Sequence, residues 1–172
     1  AKTCTLAFDR PLPEDIDAKF RGQQNVVIEN ASYCPNVEIS GCSIHGIPTR
    51  GILCTTGGHV DIHHNTFAHV FMANVFVSND ANDWYESGPV RDMQIHHNVF
   101  HLPTLRQNSG STAVLVEPIT LGGKITAPVH SGIRIFENEI TLTDGYALWS
   151  KGGGDIEIDD KEHPVHIEPL DK

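Results

Sequence analysis

The apolar and polar positions of this chain fall into a repeating unit, not into helical stripes. The unit is visible in NVEISGCSI (36–44), HVDIHHNTF (59–67), DMQIHHNVF (92–100) and GIRIFENEI (132–140). Each copy begins apolar–x–apolar, which predicts a strand. Five residues after the first apolar position comes Cys42, Asn65, Asn98 or Asn138, and two further on comes Ile44, Phe67, Phe100 or Ile140. DIEIDD (155–160) is a shorter copy, and NVVIEN (25–30) reads as one more at the front. The first apolar positions are Val37, Val60, Met93, Ile133 and Ile156, spaced by 23, 33, 40 and 23 residues. A base period near 23 with longer insertions is expected of a β-solenoid, in which each coil is one turn and extra residues bulge out as loops.

A second apolar segment follows each of the first four copies: GILCTT (51–56), NVFVSN (74–79), AVLVEP (113–118) and ALWS (147–150). Its first apolar residue lies 15, 15, 21 and 14 residues after the first of the copy. Alternate residues of a strand point to one face, so Ile52, Val75 and Val114 are expected to stack inside the coil, as are Cys54, Val77, Val116 and Trp149. Asn65 and Asn98 are expected to form an inward ladder in a tight left-handed turn at a corner. No stretch sustains a helical apolar period, although EDIDAKF (14–20) could form one turn. The expected fold is all-β: a parallel β-helix of about five or six coils, a pectin-lyase-like solenoid with the right-handed sense usual for that architecture. The whole chain, 1–172, reads as one domain, with a lead-in over 1–24, coils over 25–160 and a tail over 161–172. PLPED (11–15), GG at 57–58 and GGG at 152–154 read as loops and coil turns, since neither glycine run opens a helix that would cradle a phosphate. No cap is evident at either end, so self-association or continuation into a longer chain is expected there.

Composition narrows the partners. The 172 residues hold 12 Lys+Arg against 22 Asp+Glu, a net charge of −10. That balance argues against nucleic acid, whose phosphates need a basic face. No apolar run approaches the roughly 20 residues of a membrane helix, so no membrane partner is expected. The start, AKTCTLAFDRPLPEDI, carries no apolar signal core and leaves the compartment open. None of Cys4, Cys34, Cys42 and Cys54 sits in a CxxC pair, which argues against a thiolate zinc cage. Two disulfides are one option, and buried free thiols at Cys42 and Cys54 are preferred, because both fall at inward positions.

Candidate chemistry concentrates after the second strand of the middle coil. Thr55, Ser78 and Glu117 are expected in one outward row, with Asn79 and Asp80 at the end of their strand. SNDANDWYESGPVRD (78–92) then sets Asp80, Asp83 and Glu86 around Trp84 and Tyr85. Aromatic faces stack on the apolar side of a pyranose, and two carboxyl groups flanking a glycosidic bond can act as general acid and base. A solvated acidic loop anchored by Trp84 is the plainer alternative. His63 and His96 should stack across coils, as should His64 and His97. They are read as structural histidines, because no carboxylate sits at matching spacing within one strand, and no metal or cofactor is expected. Lys124 and Arg134 raise a polysaccharide lyase as another reading, in which a basic residue takes the proton beside a uronate carboxylate, often with calcium.

The run CPNVEISGCSIHGIPTRGILCTTGGHVDIHHNTF, followed by NDANDWYESGPVRDMQIHHNVF, resembles glycoside hydrolase family 110, the α-1,3-galactosidases. ESGPV after an aromatic pair, at this distance from RGILCTT, carries the likeness most specifically. The resemblance implies metal-independent, inverting cleavage of terminal α-1,3-linked galactose on a right-handed parallel β-helix, and a secreted or periplasmic location. It implies an acidic doublet at Asn79–Asp80, of which this chain keeps only the second acid, and a further acid at Glu117. Asp80 and Glu117 are thus the preferred acid/base pair, with Asp83 or Glu86 as substitutes. Arg50, Trp84, Tyr85 and Asn79 are the candidate sugar-binding residues. A hydrolase of this kind gives a bell-shaped pH–rate profile. A non-catalytic carbohydrate-binding or oligomerising β-helix is the alternative.

Overall fold

The structure is a computed structural model that describes residues 5–11, 29–80, 86, 88–102, 112–120 and 123–172. The expectations for Cys4, 12–28 (with EDIDAKF and the front of NVVIEN), Asp83, Trp84 and Tyr85 lie outside these residues. A single 3-10 turn, Ala31–Tyr33, precedes the strands. Among the described residues the rest is a parallel β-helix with three sheets. The first sheet stacks β1 (Val37–Ser40), β4 (His59–His63), β7 (Asp92–His96), β10 (His130–Phe136) and β13 (Gly153–Ile158). The second stacks β2 (Ser43–Ile47), β5 (Thr66–Val70), β8 (Val99–His101) and β11 (Glu139–Thr141). The third stacks β3 (Ile52–Cys54), β6 (Val75–Val77), β9 (Thr112–Val116), β12 (Tyr146–Ser150) and β14 (Val165–Ile167). The segment read as a tail therefore contributes β14, which pairs with β12.

Inside, apolar side chains of equivalent positions stack from coil to coil. Val37 faces Val60, Val60 faces Met93, and Ile133 joins Met93 to Ile156. Ile52, Val75 and Val114 are level, as are Cys54, Val77 and Val116. Phe67 and Phe100 stack at 4.8 Å between ring centroids, at the Asn-x-Phe position of the repeat. That apolar position marks the second sheet, whose strands the two-segment reading of each coil did not separate.

Trp149 departs from expectation. It faces Leu115, while Leu148 faces Val114 and Ser150 faces Val116. Leu148, 15 residues after Ile133, is the true counterpart of Ile52 and Val75. Taking Ala147 as the first inward residue slips the register by one, and such a slip turns every side chain of a strand to the other face. Trp149 consequently lies on the outside.

The corner between first and second sheets holds the Asn ladder. Asn65 and Asn98 are each 1 % exposed. Asn65 Nδ2 donates to Asn98 Oδ1 (3.0 Å), and Asn98 Nδ2 donates to Asn138 Oδ1 (3.0 Å). The same amides donate to the carbonyls of Ile39, Ile62 and Ile95 on the preceding coils (2.8–2.9 Å). Their oxygens accept the backbone N–H groups of Cys42, Asn65 and Asn98. The left-handed residue is not the Asn but the one before it: Gly41, His64, His97 and Glu137 have φ of 66°, 55°, 53° and 53°. A chain reversal there aims the Asn side chain inward, where it replaces the ladder bonds that the corner breaks.

The cysteines divide. Cys54 is buried, and burial pushes its thiol up to about 12. Cys42, expected inward, is exposed, its Sγ 3.4 Å from the Ser40 carbonyl. It occupies the Asn position of the first described coil, where no preceding coil among the described residues packs on it. Cys34, Cys42 and Cys54 are all free thiols.

The paired histidines stack as the repeat predicts, His63 on His96 at 5.1 Å and His64 on His97 at 5.0 Å between centroids. The Nδ1 atoms of His63 and His64 lie 2.8 Å apart, as do those of His96 and His97. Carboxylates do reach them from neighbouring coils: from the coil before, Glu38 meets His63 Nε2 at 3.1 Å and Asp61 meets His96 Nε2 at 3.0 Å, and from the coil after, Glu137 meets His97 Nε2 at 3.1 Å. Spacing within one strand could not show this, because the partners lie on adjacent coils.

Two predictions follow from this packing. Asn98→Ala leaves the Asn65 amide donors and the Ile62 carbonyl without their partner inside the corner. Each buried unmade bond costs about 1–3 kcal/mol, so the urea midpoint should fall by an amount equivalent to roughly 3 kcal/mol. The half-buried Asn138→Ala should cost less. His130 is fully buried, accepts the Val90 N–H at Nδ1 and is held down to about pH 4, first by burial and then by the Arg91 charge. The unfolded imidazole takes its proton near pH 6.5. Between those values the unfolded state binds more protons, so stability falls as pH is lowered from about 6.5 to about 4, by up to roughly 3 kcal/mol from this residue. His130→Gln, which keeps an acceptor for Val90 but does not titrate, should flatten that part of a stability–pH curve.

Candidate active site

The preferred acids stand where the third sheet's strands run out. The ladder continues past β6 and β9: Ser78 N donates to the Cys54 carbonyl (3.1 Å) and Glu117 N to the Val77 carbonyl (3.0 Å). Thr55, Ser78 and Glu117 are thereby level, as expected. Ser78 is not open to solvent, however. It is 1 % exposed, and its hydroxyl donates to the Glu117 carbonyl at 2.8 Å, tying the two coils together. Ile119 N donates to the Asn79 carbonyl (3.1 Å), which sets Ile119 beside Asp80. Asp80 and Glu117 are therefore one coil and two residues apart on the same face. With strands about 4.8 Å apart and a rise of about 3.3 Å per residue, their Cα atoms are separated by about 8 Å.

Asp80 is 8 % exposed, whereas Glu117 is half-buried. The Glu86 N–H donates to the Asp80 carbonyl (2.9 Å), closing the base of the acidic loop. This brings Glu86 next to Asp80 along the chain path, while Asp83, Trp84 and Tyr85 lie outside the described residues. Asn79 Oδ1 is buried and accepts no hydrogen bond among the described residues. A Cβ on Gly88 would meet only the end of the flexible Glu29 side chain, so no backbone contact among the described residues requires the glycine of ESGPV. The glycine of RGIL has a local cause: a Cβ on Gly51 would meet the Asn74 carbonyl oxygen at 2.6 Å.

Arg50 precedes β3 and lays its guanidinium over Phe76, 5.9 Å from the ring centroid. It shares the outer face with the acids but sits at the opposite end of the strands, because Phe76 is level with Leu115, two residues before Glu117. The groups of the lyase reading are not brought together. Lys124 Nζ donates to the Lys172 carbonyl at 2.8 Å, and Arg134 lies in the first sheet between Gln94 and Glu157.

Several residues near the acids were missed. Lys151 N donates to the Val116 carbonyl and Glu168 N to the Ser150 carbonyl, both at 2.8 Å. These bonds continue the row Thr55–Ser78–Glu117 with Lys151 and then Glu168. The neighbouring outer row runs Leu53, Phe76, Leu115, Trp149, His166. The signal that could have found Lys151 and Trp149 was the constant offset of 15 residues, applied to Leu148.

No family model matches the chain. Curated proteins match along most of it. Alpha-1,3-galactosidase A of Peterkaempfera griseoplana is 38 % identical over 159 residues, 92 % of this chain and 21 % of that protein. Alpha-1,3-galactosidase A of Streptomyces avermitilis is 35 % identical over 176 residues, 98 % of this chain and 26 % of that protein. Alpha-1,3-galactosidase B of Bacteroides thetaiotaomicron is 33 % identical over 146 residues, 82 % of this chain and 22 % of that protein. The fold is that of a parallel β-helix, with carboxylates grouped where the strands of its third sheet end. Along most of its length the chain is similar to the α-1,3-galactosidases, the proteins that RGILCTT and WYESGPV resemble, as a short relative that spans about a quarter of their length.

Proposed function

We propose that the chain carries the acid/base centre of an inverting hydrolase for terminal α-1,3-linked galactose. The observation behind this reading is the placement of Asp80 and Glu117 on neighbouring coils of one face, two residues out of step, within a stretch related to α-1,3-galactosidases. Inverting enzymes hold their carboxyl groups roughly 6.5–9.5 Å apart, leaving space for the attacking water. A backbone offset of about 8 Å is compatible with that spacing. One carboxyl group protonates the departing glycosidic oxygen while the other takes a proton from water on the opposite side of the ring. Asp83 and Glu86 stand in reserve for either role. Asn79 and Arg50 are proposed to bind sugar hydroxyls, Arg50 further along the face. Trp84 and Tyr85 are proposed to stack on the galactose ring.

A non-catalytic sugar-binding module is the second reading. Asn79 favours it, being an amide where the resemblance implies the first acid of a doublet.

Hydrolysis of an α-1,3-galactosyl disaccharide, followed by NMR, tests the first reading: β-galactose should appear before mutarotation. Asp80→Asn and Glu117→Gln should each lower kcat/KM by roughly a thousandfold. Wild-type protein that binds the disaccharide without turnover would establish the second reading instead.

A further inference from the structure

We propose that Trp149, framed by Tyr146 and His166, is the platform for the sugar ring that carries the scissile galactose. The proposal rests on the galactosidase reading and adds a subsite to it. The outer row of the third sheet is closed in its middle and opens towards both ends, at Leu53 on one side and at Trp149 and His166 on the other. Phe76 and Leu115 are 8 % and 7 % exposed, whereas Trp149 is half-buried and the His166 side chain is 43 % exposed. At the end of the later coils two aromatic side chains, Trp149 and His166, succeed each other in the row. Tyr146 meets Trp149 edge to face at 4.9 Å between centroids, and His166 lies 4.4 Å from it at an angle of 45°. The flanking row is polar, with Lys151 beside Glu117 and Glu168 beyond. Half-exposed aromatic rings rimmed by charged hydrogen-bonding groups match the two sides of a pyranose, apolar C–H on one face and hydroxyls at the edge.

Position gives the subsite its place. Trp149 is one coil along from Leu115, and Leu115 precedes Glu117 by two residues. Trp149 therefore lies one coil on from Glu117 and two residues back, with the Cα atoms about 8 Å apart, so the next ring of a glycan whose galactose sits between Asp80 and Glu117 runs obliquely, one coil on and back along the strands. There it meets the Trp149 indole, with the Lys151 ammonium able to donate to its hydroxyls.

The test compares an α-1,3-galactosyl disaccharide with methyl α-galactoside, which lacks the second ring. In Trp149→Leu, which keeps apolar bulk against Leu115 but has no aromatic face, the ratio of kcat/KM for the disaccharide over the methyl glycoside should fall about tenfold. Trp149→Phe should retain most of it, and the exposed Tyr33→Ala should leave it unchanged. Circular dichroism and thermal unfolding of the same variants report whether they are folded. An unchanged ratio in Trp149→Leu, or an equal loss on both substrates, overturns the subsite. If wild-type protein turns over neither substrate, the hydrolase reading falls and NMR of the disaccharide decides the subsite. Broadening of the second ring's signals that Trp149→Leu abolishes upholds it, and broadening that is absent or indifferent to Trp149 overturns it.

Discussion

Every coil of a β-helix must satisfy its backbone against the coils above and below, and the corners are where strand pairing fails. Here the buried amides of Asn65 and Asn98, with Asn138 beyond them, fill that gap. Each donates to a carbonyl of the preceding coil and accepts a backbone N–H from it. A buried amide has few ways to meet all its hydrogen bonds, so the ladder fixes how one coil sits on the next. The left-handed residue before each Asn turns the chain so that this is geometrically achievable. His64, His97 and Glu137 take that conformation although they carry a Cβ, a cost that the corner's bonds offset.

Register set at the corner carries through to the third sheet. Ile52, Val75 and Leu148 each follow the first apolar residue of their copy by 15 positions. In the coil of Val114 the longer connection is taken up outside the strands, so Val114 still stacks on Val75. The outer rows are consequently aligned too, and residues far apart in sequence become neighbours: Ser78 with Glu117, and Glu117 with Lys151. The extra residues that follow β6 in sequence leave the stack undisturbed, since β6 and β9 still pair in register.

The first sheet's outer face shows what the same stacking does without a free site. Glu38 is paired with His63, Asp61 with His96, and Asp92 with His59 at 2.9 Å, while the imidazoles stack on each other and on Phe136. These polar atoms already have partners within the protein, so the face reads as a staple between coils. The histidine doublets, the most conspicuous chemistry in the repeat, are thus engaged within the protein.

The period, the inward stacks of the first sheet, the Asn ladder and the histidine stacks were legible in the sequence because each follows from local alternation plus a constant count between equivalent residues. The order Asp80 before Glu117 on successive coils was legible for the same reason. What only the tertiary structure decided were relations across coils that no count within a strand contains. These include the diagonal carboxylates on the histidines, the outward turn of Trp149, the exposure of Cys42, and the burial of Ser78 and Asp80. The physical reason is that a strand's own pattern fixes two faces but not which is covered, nor which neighbour is diagonal to it. Covering and diagonal contact arise only when the coils are laid on one another in register.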